Sequence, residues 1–173
     1  MANKAIVVGE PLKAELFSDI LAILKKTKIM KKNKNSTRWG QIGARFCTFG
    51  KTKGRYDGIL RDTSYTDRTK PKLSNEINKI GAILKEIYGF NSFAYNAVHL
   101  NNNVTCPPHY DGNNVGNSIL ISFGDYTGGN IVIEGIMYDA YLTPIMFNGS
   151  QLQHWNTNDL QGDKYSLVFF CNK

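Results

Sequence analysis

Acidic residues are scarce at the start of this 173-residue chain: residues 1–72 hold 6 Asp/Glu against 17 Lys/Arg, a net +11, and residues 73–173 hold 8 against 4. Cysteine is scarcer still. Cys47, Cys106 and Cys171 are odd in number and far apart with no CxxC spacing, which excludes a disulfide framework of the secreted kind and points to a reducing compartment. No apolar run is long enough to cross a bilayer, and the stretch from Met1 to Pro11 is too short and too soon interrupted to serve as a signal peptide. No internal repeat and no linker of biased composition divides the chain. We therefore expect a single soluble, intracellular domain over 1–173, cytoplasmic or nuclear and monomeric, large enough to bury a core unaided.

What is present begins with that basic excess. Lys25, Lys26, Lys28, Lys31, Lys32, Lys34 and Arg38 form its densest run, and Lys51, Lys53, Arg55, Arg61, Arg68, Lys70 and Lys72 continue it. Such a surface neutralises phosphates and releases their counterions, the main source of nucleic-acid affinity. A solvated face that only aids solubility is the plainer alternative.

Hydrophobic periodicity divides the chain into a helical, basic portion (1–89) and a strand-rich portion (90–173). Leu12, Leu16, Phe17, Ile20, Ile23 and Leu24 recur at spacings of three and four, which predicts a helix over 11–26 ending in its own lysines. A basic connector (27–40), a strand over 42–49 and a long loop over 50–72 follow. Ser74 is placed to cap a second helix running to Tyr88 with Ile77, Ile80, Ile83, Leu84 and Ile87 as its buried stripe. Beyond Gly89, runs rich in Ile, Val, Phe and Tyr at 93–101, 118–123, 130–133, 136–142, 145–147 and 165–170 read as successive antiparallel strands, with a tight hairpin at Thr127–Asn130. Helices followed by about eight strands predict a mainly β, α+β fold: a sandwich or jelly-roll barrel buttressed on one side by helices.

Chemistry concentrates at His109, Tyr110 and Asp111, followed at a distance by His154. Residues two apart on an extended chain project to one side, so His109 and Asp111 can reach one metal while His154 arrives from elsewhere. Two imidazoles and one carboxylate are the facial triad of non-haem Fe(II), which leaves positions open for co-substrate and dioxygen. A bare His-x-Asp also arises by chance, in which case Asp111, Gly112, Asn113 and Asn114 simply shape a turn. Downstream, Lys164 and Ser166 share one face of a strand and together form a carboxylate receptor.

The order His109-x-Asp111, His154 and Lys164-x-Ser166 resembles the 2-oxoglutarate and Fe(II)-dependent dioxygenases, whose core is a double-stranded β-helix. The segments PHYDGNNVGNSILISFGDYTGGNIVIEG (108–135) and GDKYSLVFF (162–170) resemble more narrowly the TET/JBP branch, which oxidises methyl groups on nucleic-acid pyrimidines, in its compact single-domain microbial or viral forms. The resemblance covers residues 90–171. It implies Fe(II), 2-oxoglutarate and O2 as cofactors, with His109, Asp111 and His154 as catalytic metal ligands and Lys164 and Ser166 holding the distal carboxylate of 2-oxoglutarate. That branch usually carries Arg where this chain has Lys164, and an ammonium cannot make the two-pronged contact of a guanidinium. The resemblance also implies a base contact for Asn114, with Asn113 beside it. For the co-substrate pocket it points to Asn96 or His99, which lie on opposite faces of their strand, and to Arg45 at the far end of 2-oxoglutarate. Lys31, Lys32 and Lys34 would contact DNA. The implied function is oxidation of 5-methylcytosine or thymine in DNA. A protein hydroxylase acting on prolyl or other side chains is the alternative, and a non-enzymatic cupin-like binding protein the third.

Overall fold

A computed structural model describes residues 5–26, 31–32, 44–54, 56–63, 70–89 and 91–172. In chain order its strands are β1 (Val7–Val8), β2 (Lys31–Lys32), β3 (Arg45–Lys53), β4 (Leu60–Asp62), β5 (Ala97–Asn102), β6 (Ser118–Thr127), β7 (Ile131–Ile133), β8 (Ile136–Tyr138), β9 (Ile145–Phe147), β10 (His154–Asn156) and β11 (Gln161–Phe170). Two helices, α1 (Ser18–Lys26) and α2 (Pro71–Tyr88), precede β5, and a 3-10 turn over Ala14–Phe17 leads into α1.

The strands form two antiparallel sheets. The major one runs β1-β9-β6-β11-β5-β3-β2, with β4 hydrogen-bonded to the far end of β3, and the minor one runs β10-β7-β8. Period-two alternation decides what each strand offers to either side. Val98 and Leu100 of β5, Ile119, Ile121 and Phe123 of β6, and Leu167 and Phe169 of β11 join Phe17, Ile20 and Leu24 of α1 and Leu73, Ile77, Ile80 and Leu84 of α2 in one core. The opposite face sends Leu120 and Val168 against Ile131 and Ile133 of the minor sheet, a second core that closes the sandwich. This is the jelly roll buttressed by helices that the sequence predicts.

Several local expectations change. α2 begins at Pro71, whose fixed φ suits the first helical position, so Ser74 lies buried inside the helix and caps nothing. Its buried stripe starts at Leu73, and that phase leaves Ile87 exposed. The expected loop over 50–72 contains a hairpin: β3 continues to Lys53 and pairs with β4, Thr52 opposite Arg61. The Gly-Gly turn at 128–129 has the expected positive φ, but β6 and β7 belong to different sheets, so it carries the chain across the sandwich. The tight hairpin is the next one, β7 to β8, turning at Glu134 and Gly135 with φ of 50° and 79°. The basic connector lies outside the described residues except for Lys31 and Lys32. Among the described residues no helix is long and apolar enough to cross a membrane.

Candidate metal centre and its pocket

The loop after β5 folds back across the minor sheet and pairs with the start of β10. His109 N–H donates to His154 O (3.0 Å) and His154 N–H to His109 O (3.1 Å), so the two residues form one antiparallel bridge although 44 residues separate them in sequence. Asp111 N–H donates to Gly149 O (2.9 Å), which fixes the carboxylate beside both rings. The outcome is a cluster in which one ligand atom from each of His109, Asp111 and His154 lies within 4.8 Å of the others.

Hydrogen bonding behind the rings selects their tautomers. His109 Nδ1 lies 2.7 Å from Pro107 O and His154 Nδ1 lies 2.8 Å from Leu152 O. A carbonyl oxygen only accepts, so both Nδ1 atoms carry hydrogen, and the neutral rings turn unprotonated Nε2 atoms toward Asp111, 3.5 Å from Oδ1 and 3.1 Å from Oδ2. Three acceptors thus converge with no proton between them. Either an imidazole is protonated or a divalent cation sits among them, and backing of this kind is what orients metal-bound histidines. Burial pushes the Asp111 carboxyl upward; with the imidazoles protonated, hydrogen bonds from His109 and His154 and their charge outweigh it and hold the group well below the usual carboxylate range. The donor set therefore fits Fe(II), and it leaves the side toward the cavity open.

That cavity, about 360 Å³, lies within the range of small-molecule sites. Its rim carries Tyr110, Gly112 and Asn113, all exposed, together with Asn114, Thr52 and Asn172. Its floor is buried: Lys164, Ser166 and Asn101, with Leu120, Ile131, Val168 and Phe170 as apolar walls. The inner-facing register of β11 places Lys164, Ser166, Val168 and Phe170 on the cavity side, and that of β5 places His99 and Asn101 beside them, Ser166 opposite Asn101 and Val168 opposite His99.

Lys164 is the buried cation of the floor. Desolvation pulls its ammonium down to about 8, opposed by the charges of Cys106 and Asp139. Nζ donates to Gly129 O and lies 5.6 Å from the centre of the Tyr126 ring. With three donors on the ammonium, that bond leaves others for a ligand in the cavity.

The remaining predicted residues fall in different places. Asn113 and Asn114 line the rim, and Asn114 N–H donates to Asp111 O (3.0 Å). His99 lines the cavity, stacked on Phe170 at 4.6 Å with Nδ1 2.7 Å from Thr48 Oγ1. Asn96 is not among the lining residues; its Oδ1 accepts from Asn172 N–H at 3.0 Å. Arg45 likewise does not line the cavity, and starts β3 opposite Asn102. Lys31 and Lys32 form the edge strand β2 beside β3, and Lys34 lies outside the described residues.

Two residues that sequence reasoning passed over belong to the site. Asn101 is buried with Nδ2 3.5 Å from Ser166 Oγ, and its Oδ1 has no protein partner among the described residues. Its two-residue spacing from His99 was the available signal. Gly149 stands against the metal cluster, and no local pattern marks it.

No protein-family model and no curated protein matches the chain by sequence. Solved structures do. An NgTET1 in complex with 5-methylcytosine DNA has a TM-score of 0.65 at 14% identity, covering 97% of this chain and 72% of that one. A 2-oxoglutarate–Fe(II) oxygenase family oxidoreductase from Burkholderia pseudomallei has 0.64 at 15%, covering 95% and 84%. A Pseudomonas putida prolyl-4-hydroxylase has 0.59 at 11%, covering 97% and 92%. The chain therefore has the fold of the 2-oxoglutarate–Fe(II) oxygenases.

Proposed function

We propose that this protein is an Fe(II)- and 2-oxoglutarate-dependent dioxygenase acting on the methyl group of a 5-methylpyrimidine, 5-methylcytosine or thymine, in DNA. The observation that carries the reading is one cavity with two unlike ends. Acceptors of His109, Asp111 and His154 converge on its side, and a buried ammonium and hydroxyl, Lys164 and Ser166, lie at its floor. A dicarboxylate that must reach a metal with one end and a cation with the other fits that arrangement.

Bound iron with 2-oxoglutarate and O2 supplies oxidation of a C–H bond coupled to loss of CO2 and formation of succinate. The chain supplies the rest. Asp111 and the Nδ1-protonated His109 and His154 hold the metal on one side, and the apolar walls at Leu120, Ile131, Val168 and Phe170 restrict water. Asn113 and Asn114 at the rim offer amide donors and acceptors to the edge of a base turned out of its stack, since an enzyme cannot reach a stacked base. The net +11 of residues 1–72 supports a polyanionic substrate, as does the likeness to a fold solved with 5-methylcytosine DNA.

The test is incubation of purified protein with Fe(II), 2-oxoglutarate and methylated DNA, followed by mass spectrometry of the nucleosides. Oxidised pyrimidine with stoichiometric succinate is expected. Succinate release driven by prolyl peptides, with unchanged nucleosides, would instead select the protein-hydroxylase reading. No iron-dependent succinate under any condition would leave a binding protein.

A further inference from the structure

Two crossover loops of the sandwich lie side by side next to Lys164. Residues 128–130 carry the chain from β6 to β7, and residues 157–160 carry it from β10 to β11. Thr157 N–H donates to Asn130 O (2.9 Å), Asn130 N–H to Thr157 Oγ1 (2.9 Å) and Gly129 N–H to Asp159 Oδ1 (2.9 Å). The approach is so close that a Cβ on Gly128 would lie 2.2 Å from Asp159 O. Gly128 and Gly129 have φ of 71° and 59°, the left-handed region that glycine enters without steric penalty.

These contacts join a buried ammonium to a surface carboxylate through one peptide unit. Lys164 Nζ donates to Gly129 O, and the N–H of that same peptide, carried by Asn130, donates to Thr157 Oγ1. The C=O and N–H of a trans peptide point in opposite directions, so Lys164 and Thr157 lie on its two sides. Thr157 in turn donates its hydroxyl to Asp159 Oδ1 at 2.6 Å. Every donor in the series points from the cation toward the anion, the sense in which hydrogen bonds polarise and strengthen one another. The Thr157 hydroxyl and the Gly129 N–H hold the Asp159 carboxyl below its ordinary value, which keeps it an anion at neutral pH. Lys164 is buried, whereas Asp159 is exposed.

An ammonium is a point charge on a flexible stem and lacks the fork with which a guanidinium orients a carboxylate. Something else must fix where its donors point. Resting on the 2-oxoglutarate reading above, we infer that Thr157 and Asp159 are positioning residues of the distal-carboxylate site. Through the Gly129–Asn130 peptide they hold Lys164 Nζ at one place in the cavity floor, and so set the preference for a 2-oxo dicarboxylate over a 2-oxo monocarboxylate. One proton of the ammonium goes to Gly129 O and the others remain for the ligand. A donor held in place beforehand removes an ordering cost from the binding step. Thr157 and Asp159 are not among the residues that line the cavity, so they act on the ligand only through that peptide and Lys164.

The experiment loads the protein with Mn(II), a redox-silent substitute for Fe(II), and measures by calorimetry the affinity for 2-oxoglutarate and for 2-oxovalerate, a chain of the same length that ends in a methyl group. Thr157→Val keeps the side-chain shape and removes the hydroxyl. It is expected to weaken 2-oxoglutarate roughly three- to tenfold, the scale of one hydrogen bond, and to change 2-oxovalerate less than about twofold. Thr157→Ser returns the hydroxyl and the affinity, and in a Lys164→Met background Thr157→Val changes nothing further. In turnover with Fe(II), KM for 2-oxoglutarate rises while kcat stays. Equal weakening of both ligands, weakening that persists without Lys164, or no change at all overturns the inference and leaves the two loops a purely structural role. Asp159→Ala, at an exposed position, carries the same comparison if Thr157→Val does not fold, with wild-type Mn(II) stoichiometry marking a folded site. A wild-type protein that binds 2-oxoglutarate no better than 2-oxovalerate removes Lys164 from the carboxylate site and the inference with it. One that binds neither overturns the 2-oxoglutarate reading itself.

Discussion

A Cβ built on Gly149 would lie 2.7 Å from Asp111 Oδ2 and 3.3 Å from His154 Cε1. The backbone of residue 149 thus packs directly against two of the three candidate metal ligands, while its carbonyl accepts the Asp111 N–H. Gly149→Ala should therefore push the carboxylate off its position and weaken Fe(II) binding at least about tenfold, the range found when groups supporting metal ligands are disturbed. Metal titration followed by the Co(II) absorption of a substituted site reads this directly. Unchanged affinity would show that the loop yields at no cost.

Asp111→Ala should abolish Fe(II) binding and turnover and leave the fold intact, because the cluster lies on a loop and a short strand and outside both cores. Circular dichroism and metal analysis of the purified variant check the two halves of this statement. Retained stoichiometric iron would sink the triad.

Lys164 makes the pH dependence specific. Burial holds its folded value at about 8, below the ~10.4 of a free lysine, so between those values the unfolded chain binds a proton that the folded one does not. Stability of the metal-free protein should then rise with pH through that window, by on the order of 2–3 kcal/mol if the whole shift is realised, and Lys164→Met should flatten the rise in a denaturant series. Co-substrate use should show the opposite trend. kcat/KM for 2-oxoglutarate should fall above pH 8 as the ammonium deprotonates, and Lys164→Ala should raise KM for 2-oxoglutarate, but not for the prime substrate, by roughly 10- to 150-fold, as expected for one charge-assisted hydrogen bond. Equal effects on both substrates would remove Lys164 from the carboxylate site.

Neutralising Lys31, Lys32 and Lys34 together should flatten the dependence of DNA affinity on salt by about 0.9 log unit for each phosphate no longer engaged. Asn114→Ala should spare that affinity and reduce oxidation of the methylated base, since phosphate contacts position and base contacts specify. Filter binding across a salt series with parallel turnover separates the two. Salt-insensitive binding by the wild type would argue against a nucleic-acid substrate.

Much of the site was legible in one dimension because the information is carried by spacing. The two-residue repeat of a strand face placed His109 with Asp111 and Lys164 with Ser166 before any fold was known, and runs of β-branched and aromatic residues located most of the strands. Errors fell where local chemistry is permissive. Residues 50–72 looked like loop because Gly, Thr and charged residues dominate them, yet β3, whose pairing with β5 ends at Gly50, runs on to Lys53 because β4 pairs with its last three residues. Asn96 was drawn toward the cavity by proximity in sequence, while strand phase gave that place to Asn101.

The sequence by itself determined the ligand types, their alternation and the charge asymmetry, all properties of the chain that hold over a few residues or a simple count. Only the tertiary structure decided that His109 would bridge to His154, that Gly149 would leave room for Asp111, that Lys164 would be buried deeply enough to lower its basicity, and that Thr52 of the β3–β4 hairpin would reach the rim. Each of those depends on which strands pair and which faces close on one another. Such pairings join residues far apart in the chain, and their selection comes from burying two hydrophobic cores at once, which no local window of sequence contains.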